Sequence, residues 1–302
     1  MKKLVLVFAL LQVCTAAQTP TPRPRILGID HVSFYTTAPD GVKKLYGEVL
    51  GLSSADPVEP GGTLRYMVGT QWVGYSPAPD PKSTDRMDHV ALRTDNIAAM
   101  RKYLTAQGIR VPQIEGRADH SLFFFVTDPE GHKIEFVERG KGEVAPPAPT
   151  AVSHHMIHAG FLVYHQGPED HFYRDILGFR PYWHGGMKDD VTEWLAIQVP
   201  DGTDWIEYML YLPEHPSRED LGGADHIAPG VVSVAELQRK LEERGWTPPE
   251  GKNPQVLGVD GKMQLDLHDP DGTRIEFMEF APVKKPCCSP YTGTQPTPSP
   301  AW

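Results

Sequence analysis

The chain repeats itself, and this repetition constrains its fold more than any other feature of the sequence. The stretch DHVALRTDNIAAMRKYLTAQGI, which starts at Asp88, aligns without a gap over 22 positions with DHIAPGVVSVAELQRKLEERGW, which starts at Asp225. Both stretches predict a strand followed by a helix that ends at a glycine. Each leads to the same later pattern, DPEGHKIEF from Asp128 and DPDGTRIEF from Asp269. Proline fixes φ in these turns and glycine accepts positive φ, so each predicts a turn that leads into a strand.

The other two units of the repeat are related to each other through a different set of segments. The segments LYGEVLGL from Leu45 and FYRDILGF from Phe172 predict short helices, and each follows a strand, HVSFYT from His31 and HAGFLV from His158. The last strands of these units also align: TQWVGY (70–75) with TDWIEY (203–208). The sequence therefore predicts four copies of one βαβββ module, arranged as a duplicated pair.

The duplication sets the expected domain boundaries. The first module pair is predicted to cover residues 26–140 and the second residues 153–280. Between them, residues 143–152 are rich in Pro and Ala and predict a linker. Residues 281–302 are rich in Pro, Ser and Thr, and this composition predicts a disordered tail.

The start of the chain predicts export. Residues 1–17 combine a basic start, a short apolar run and small residues at the end, which is the pattern of a secretory signal peptide. A bilayer span needs about 20 apolar residues, so we expect cleavage rather than a membrane anchor, and a periplasmic or extracellular mature protein. Beyond this segment the chain has only Cys287 and Cys288. Neighbouring cysteines rarely bridge each other without strain, so we expect no disulfide and an idle thiol pair.

Charge narrows the class of partner. The formal net charge is −10 at pH 7, whereas a protein that binds nucleic acid needs a clustered excess of Lys and Arg to neutralise phosphates. We therefore expect a small-molecule partner, neither nucleic acid nor membrane. Two module pairs in one chain also make a functional monomer possible.

These repeats resemble the vicinal oxygen chelate superfamily, which includes glyoxalase I, methylmalonyl-CoA epimerase, extradiol dioxygenases, and the fosfomycin and bleomycin resistance proteins. The resemblance covers roughly residues 27–280 and depends on the helix that ends in LGF and on the DPDGxxIEF pattern. It implies an α+β fold in which four βαβββ modules form two paired-module open barrels. It also implies metal ligands from the first and last strands of each module.

The resemblance places one polar residue at each implied ligand position of the second half: His158, Glu207, His226 and Glu276. Imidazole nitrogens and carboxylate oxygens suit a divalent ion such as Ni, Zn, Co, Mn or Fe(II), and the absence of thiolates argues against a structural zinc site. Pro229, three residues after His226, predicts a strand end or a bulge that shifts this ligand.

The first half has lost one of these residues. Its equivalent positions hold His31, Gly74, His89 and Glu135. The three remaining side chains predict either a second metal site, with two histidines and one carboxylate, or a structural copy without a metal. The sequence leaves both readings open.

The ligand set suggests three functions. The leading hypothesis is an exported glyoxalase-like lyase or isomerase, in which the metal polarises a substrate with vicinal oxygens and Glu207 or Glu276 removes a proton. The second is an extradiol-type dioxygenase that holds Fe(II) with the two histidines and Glu276. The third is a non-catalytic protein that binds a small molecule.

Overall fold

The computed structural model describes residues 21–56, 64–141, 148–251 and 253–299. The predicted signal peptide lies outside the described residues, and so does the first half of the predicted linker, residues 143–147. Within these ranges, no helix has the length and apolar character needed to cross a membrane.

Among the described residues, each half contains eight strands. The first half has β1 (Ile26–Thr36), β2 (Ser54–Ala55), β3 (Leu64–Val68), β4 (Gln71–Pro77), β5 (Met87–Thr94), β6 (Glu115–Gly116), β7 (Leu122–Thr127) and β8 (Lys133–Glu138). The second half has β9 (Met156–Leu162), β10 (Arg180–Gly185), β11 (Trp194–Gln198), β12 (Trp205–Met209), β13 (His226–Val231), β14 (Gln255–Leu257), β15 (Met263–His268) and β16 (Arg274–Glu279). The α-helices are α1 (Pro39–Lys43), α2 (Ile97–Ala106), α3 (Gln166–Asp170), α4 (Arg218–Ala224) and α5 (Val234–Glu243), and π-helical segments continue α1 and α3 at Lys44–Val49 and His171–Ile176.

Each half forms one sheet, with strand orders β2-β3-β4-β1-β5-β8-β7-β6 and β10-β11-β12-β9-β13-β16-β15-β14. Within a module the first strand pairs in parallel with the last, and the first strands of two modules pair antiparallel at the centre of the sheet. The prediction of an α+β fold built from four βαβββ modules in two pairs is therefore confirmed.

The helices of the second and fourth modules start and end as their sequences predict. The side chains of Asn96 and Ser233 cap the first turns of α2 and α5 by accepting hydrogen bonds from backbone N–H groups. Gly108 and Gly245 follow the two helices with φ values of 82° and 85°, a backbone conformation that favours glycine. The buried side chains recur at helical spacing: Met100 and Leu104 in α2, Leu237 and Leu241 in α5.

The Asp-Pro turns join the two halves. The carboxylate of Asp271, in the second half, accepts hydrogen bonds from the backbone and hydroxyl of Thr37. In the opposite direction, the carboxylate of Glu130 accepts hydrogen bonds from the backbone N–H groups of Tyr164 and His165. Each turn therefore binds the segment that leads into the first helix of the other half, before α1 in one case and before α3 in the other.

The contact made by the turn of the first half contains a cluster of ionisable groups. His132 Nδ1 lies 2.8 Å from the carboxylate of Asp128, which also accepts a hydrogen bond from the Tyr173 hydroxyl. Glu169 is fully buried beside them, and burial together with the charge of Asp128 raises its pKa to about 8. Burial lowers the pKa of His132, but the hydrogen bond and charge of Asp128 outweigh this effect and raise it to about 9.

We expect the protein to lose stability as the pH rises from about 6.5 to 9. Both groups have raised pKa values, so the folded state holds more protons than the unfolded chain in this range. For each of these extra protons, the free energy of unfolding falls by about 1.4 kcal/mol per pH unit. Glu169→Gln should make the dependence shallower, because it removes one of the two titrations. Urea unfolding across this pH range measures the slope, and equal slopes for the variant and wild type would contradict the account.

The end of the chain differs from the disordered tail that its composition predicts. Residues 281–299 pack against the second sheet. Tyr291 explains the difference, because its ring contacts Tyr182 and Trp183 and its hydroxyl donates a hydrogen bond of 2.8 Å to Asp260. One well-placed aromatic residue supplies the buried contact that the Pro, Ser and Thr content of the segment conceals.

The tail also corrects the expectation for its cysteines. Cys287 and Cys288 are joined by a disulfide, so the prediction of an idle thiol pair is wrong. The backbone N–H of Cys287 donates to the carbonyl of Val259, and this contact fixes the pair against the sheet instead of leaving it in solvent.

Candidate metal centre

The four predicted ligands of the second half lie on four adjacent strands. Strands β12, β9, β13 and β16 are neighbours in the sheet, and each contributes one side chain to the same face: Glu207, His158, His226 and Glu276 respectively. Ligands far apart in the chain are therefore brought together by strand pairing.

The ligand atoms of these residues converge on one point. The Nε2 atoms of His158 and His226 are 3.0 Å apart. An oxygen of Glu276 lies 3.3 and 3.2 Å from these nitrogens, and an oxygen of Glu207 lies 3.7 and 3.5 Å from them. All four ligand atoms lie within 4.8 Å of one another. This arrangement could hold one metal ion.

The hydrogen bonds of the cluster fit a cation. His226 Nδ1 donates to the carbonyl oxygen of Ala224 at 2.7 Å, which leaves the Nε2 lone pair directed at the other ligands. Burial lowers the pKa of His158. Burial and the charge of Arg274 also act to lower the pKa of His226, but Glu207 and Glu276 outweigh them and raise it. The Oε2 atom of Glu276 is buried without a hydrogen-bond partner, an unfavourable state that a bound cation would relieve.

The centre opens onto a cavity of about 270 Å³. Glu207 and Glu276 line this cavity together with Arg274 and the indole rings of Trp183 and Trp194. A small molecule in the cavity therefore contacts both carboxylates and the edge of the candidate metal site.

A β-bulge is present where proline predicts one. The register of β13 against β9 shifts between Ala228 and Pro229, and β13 continues to Val231. His226 precedes the bulge and pairs with Gly160, so its side chain still reaches the cluster. The expected displacement of this ligand is therefore wrong.

Gly160 is a residue that sequence reasoning missed. A Cβ atom at this position would lie 2.0 Å from Cε1 of His226, so the ring needs a glycine beside it. The repeat does not show this need, because the equivalent residue of the first half is Ser33.

The first half brings its three predicted residues together in the same way. The Nε2 atoms of His31 and His89 are 3.0 Å apart, and Glu135 lies 3.5 and 3.3 Å from them. The Nδ1 atoms of the two histidines contact the carboxylates of Asp30 and Asp88 at 2.9 and 2.8 Å. The geometry of the two histidines and one carboxylate therefore resembles that of the second half.

The strand register confirms which ligand the first half lacks. Gly74 pairs with Ser33, as Glu207 pairs with Gly160 in the second half. The first half therefore has no carboxylate at the position of Glu207.

Arg117 contacts the remaining carboxylate of the first half. Its guanidinium forms two hydrogen bonds with the carboxylate of Glu135, at 2.5 and 2.8 Å, and stacks on the ring of Phe123. Strand pairing aligns Arg117 with Gly258, which lines the cavity of the second half. Arg117 thus neutralises the Glu135 carboxylate that a metal would need, which favours the structural reading of the first half.

Sequence reasoning also missed Arg117 and Arg274. Arg274 stands two residues before Glu276 in DPDGTRIEF, and side chains two apart on a strand point to the same face. The ungapped alignment of the repeats, extended backwards from the Asp-Pro turn, would likewise have paired Arg117 with Gly258. The signal for Arg274 lies in the alternation of the strand, and the signal for Arg117 lies in the alignment of the repeats.

The family model described as "Glyoxalase/Bleomycin resistance protein/Dioxygenase superfamily" matches residues 28–136 and 171–277. No curated protein sequence matches the chain. Among solved structures, the 2,3-dioxygenase LapB from Pseudomonas sp. KL28 is 16% identical with a TM-score of 0.67, covering 92% of this chain and 96% of that one. The Mn(II)-bound glyoxalase from Novosphingobium aromaticivorans is 20% identical with a TM-score of 0.64, covering 85% and 83%. Homoprotocatechuate 2,3-dioxygenase from Arthrobacter globiformis is 17% identical with a TM-score of 0.62, covering 86% and 82%. At these identities the likeness to solved structures is one of fold.

Proposed function

Because the chain belongs to the Glyoxalase/Bleomycin resistance protein/Dioxygenase superfamily, we propose that its second half is a metal-dependent enzyme of the lyase or isomerase type. The proposed ligands of the divalent ion are His158, Glu207, His226 and Glu276. The observation that carries the reaction type is the fourth side chain, since Glu207 lies 3.7 and 3.5 Å from the two histidine nitrogens.

Each residue of the centre has a distinct proposed task. A bound divalent ion would polarise the vicinal oxygens of a small substrate and make the adjacent C–H more acidic. His158 and His226 are fully buried, and their task is to hold the ion through Nε2. Glu207 lines the cavity and is the most exposed of the four, at 8%, so we assign to it the removal of the substrate proton.

Glu276 is less suited to be the base. Burial raises the pKa of its carboxyl, but the charge of Arg274 and the proximity of the two histidines lower it well below its usual range. Such a carboxylate is a weak proton acceptor and a good ligand, so we propose that Glu276 holds the ion.

A second candidate function is an Fe(II) extradiol-type dioxygenase. One distance favours it: Glu276 lies 3.3 and 3.2 Å from the histidine nitrogens, closer than Glu207. His158, His226 and Glu276 would then form a facial triad and leave Glu207 outside the ligand set. Two of the similar structures are also named as 2,3-dioxygenases.

Metal content and oxygen use distinguish these candidates. The purified mature protein and Glu207→Ala are analysed for bound metals, and oxygen uptake is followed on a panel of catechols. Bound metal without oxygen uptake, with weaker metal binding in the variant, supports the lyase or isomerase. Oxygen uptake with bound Fe(II) that survives the substitution supports the dioxygenase, and a protein that binds no metal would be a small-molecule binder without this chemistry.

We also propose that the protein is exported and that residues 1–17 are removed. The basic start, apolar run and small residues of this segment support the proposal. N-terminal sequencing of the protein from an osmotic-shock fraction tests it. A start near Gln18 is the expected result, and an intact Met1 in the cytoplasmic fraction would contradict export.

A further inference from the structure

Arg274 lies in the cavity beside the candidate metal centre with unused hydrogen-bonding capacity. Its side chain is 17% exposed, and its terminal nitrogens lie 3.7 Å from Glu276 and 3.9 Å from Asp266. These ion pairs are longer than hydrogen bonds. Its Nε atom is buried without a hydrogen-bond partner. An arginine in this state has donors left for a ligand.

Arg274 also lies against the ring of His226. Its Nη2 atom is 3.0 Å from Nε2 and 3.1 Å from Nδ1, and an atom nearly equidistant from both ring nitrogens does not lie along the lone pair of either. Nδ1 is itself a donor, to the carbonyl oxygen of Ala224. This contact therefore leaves the hydrogen-bonding capacity of the guanidinium available to a ligand.

The rest of the cavity is suited to an apolar body of limited size. Trp183 and Trp194 line it, and its rim includes Met187 and Val256, which are 74% and 54% exposed. Its volume of about 270 Å³ is at or below the lower end of the range typical of drug-sized ligands, roughly 300–1,000 Å³. A cavity of this volume suits a ligand whose apolar part is about the size of one aromatic ring.

The repeat provides an internal comparison for Arg274. The equivalent residue of the first half is Lys133, whose ammonium group is 43% exposed and lies 2.9 Å from the carboxylate of Asp88. That cation already has a close partner. The first half thus has a lysine paired with a carboxylate, whereas the second half has an arginine without a hydrogen-bonded carboxylate. This difference sets apart the second half, in which we place the reaction.

We propose that Arg274 binds the carboxylate of the substrate, which is a small monocarboxylate with an aromatic-sized apolar body. This inference rests on the proposed function and names the substrate class of the same site. A planar guanidinium matches a carboxylate through two parallel hydrogen bonds. A dianion fits less well, because Glu207, Glu276 and Asp266 already bring negative charge to this region.

Phenylglyoxylate and its methyl ester are a matched pair of probes. Both carry two adjacent carbonyl groups and one phenyl ring, and only the acid has a charge at neutral pH. Binding to the Mn²⁺-loaded protein is followed by quenching of tryptophan fluorescence, since Trp183 and Trp194 line the cavity. We expect wild type to bind the acid at least about tenfold more tightly than the ester, the cost of one lost charged hydrogen-bond pair.

Two substitutions of Arg274 and one control separate recognition from stability. Arg274→Gln should abolish the preference for the acid and leave ester binding unchanged, and Arg274→Lys should retain part of it, because the charge remains but the planar fork is lost. Arg239→Gln, on the exposed face of α5, should behave as wild type. Bound Mn²⁺ is measured in every protein.

The two proposals fail in different ways. A wild type without any preference for the acid, or an Arg274→Gln variant that keeps the preference, overturns the assignment of Arg274 even when one Mn²⁺ is bound. A wild type that binds no Mn²⁺ overturns the proposed function itself. Equal loss of acid and ester binding in Arg274→Gln would show that the residue supports the shape of the cavity, and this result also contradicts the proposal.

Discussion

Glu207→Gln is expected to lower the rate of proton abstraction by about 10²–10⁴-fold, the usual contribution of a positioned general base. The amide keeps the size of the side chain but cannot accept the proton. The rate is measured as exchange of the substrate C–H with deuterium from D₂O, on a panel of 2-hydroxy carbonyl compounds, with Mn²⁺ at saturating concentration. Saturation separates loss of the base from weaker metal binding.

The control for this experiment is Glu214→Gln, which changes an exposed glutamate downstream of β12. It should exchange deuterium at the wild-type rate. An unchanged rate in Glu207→Gln would assign the base to another residue and would favour the reading in which Glu207 lies outside the ligand set.

Arg117→Met is expected to destabilise the protein by about 3–5 kcal/mol, the usual cost of removing one partner of a buried ion pair. Glu135 is fully buried, so without Arg117 its charge lacks the guanidinium that neutralises it. The free energy of unfolding is measured in urea by circular dichroism. A loss below about 1 kcal/mol would mean that another group balances Glu135.

A double variant tests the physical reason for this loss. Adding Glu135→Gln to Arg117→Met removes the unpaired charge, so part of the lost stability should return. No recovery in the double variant would assign the effect of Arg117 to its stacking on Phe123 rather than to charge.

The two halves suggest how a duplicated centre can change its use. The second half has Glu207 and Gly258, a carboxylate and an open cavity. The first half has Gly74 and Arg117 at the same positions. One change removes a ligand, and the other supplies the positive charge that Glu135 needs. Together they turn a set of metal ligands into a salt-bridged cluster.

The candidate ligand positions were predicted from the sequence through the resemblance, which implied ligands on the first and last strands of each module. Two separate alignments of the repeats, from Asp88 with Asp225 and from Asp128 with Asp269, then placed His226 and Glu276 at these positions. Pairing of β9 with β12 then explains why Glu207 joins them, since register is fixed wherever one face is buried.

The amino-acid composition of residues 281–302 predicted a disordered tail, and the structure differs from this prediction. The tail binds through a few contacts, mainly those of Tyr291 and the backbone of Cys287, and an average over its Pro, Ser and Thr residues cannot show them. The steric need for glycine at position 160 was similarly hidden, because it depends on a ring from the neighbouring strand.

The central claim is that the second half, and not the first, holds one metal ion. Elemental analysis of the Mn²⁺-loaded protein tests it most directly, with His158→Ala and its repeat counterpart His31→Ala purified in parallel and checked for folding by circular dichroism. The account predicts one ion per chain in wild type and in His31→Ala, and none in His158→Ala. An ion that remains in His158→Ala, or one that is lost from a folded His31→Ala, would contradict it.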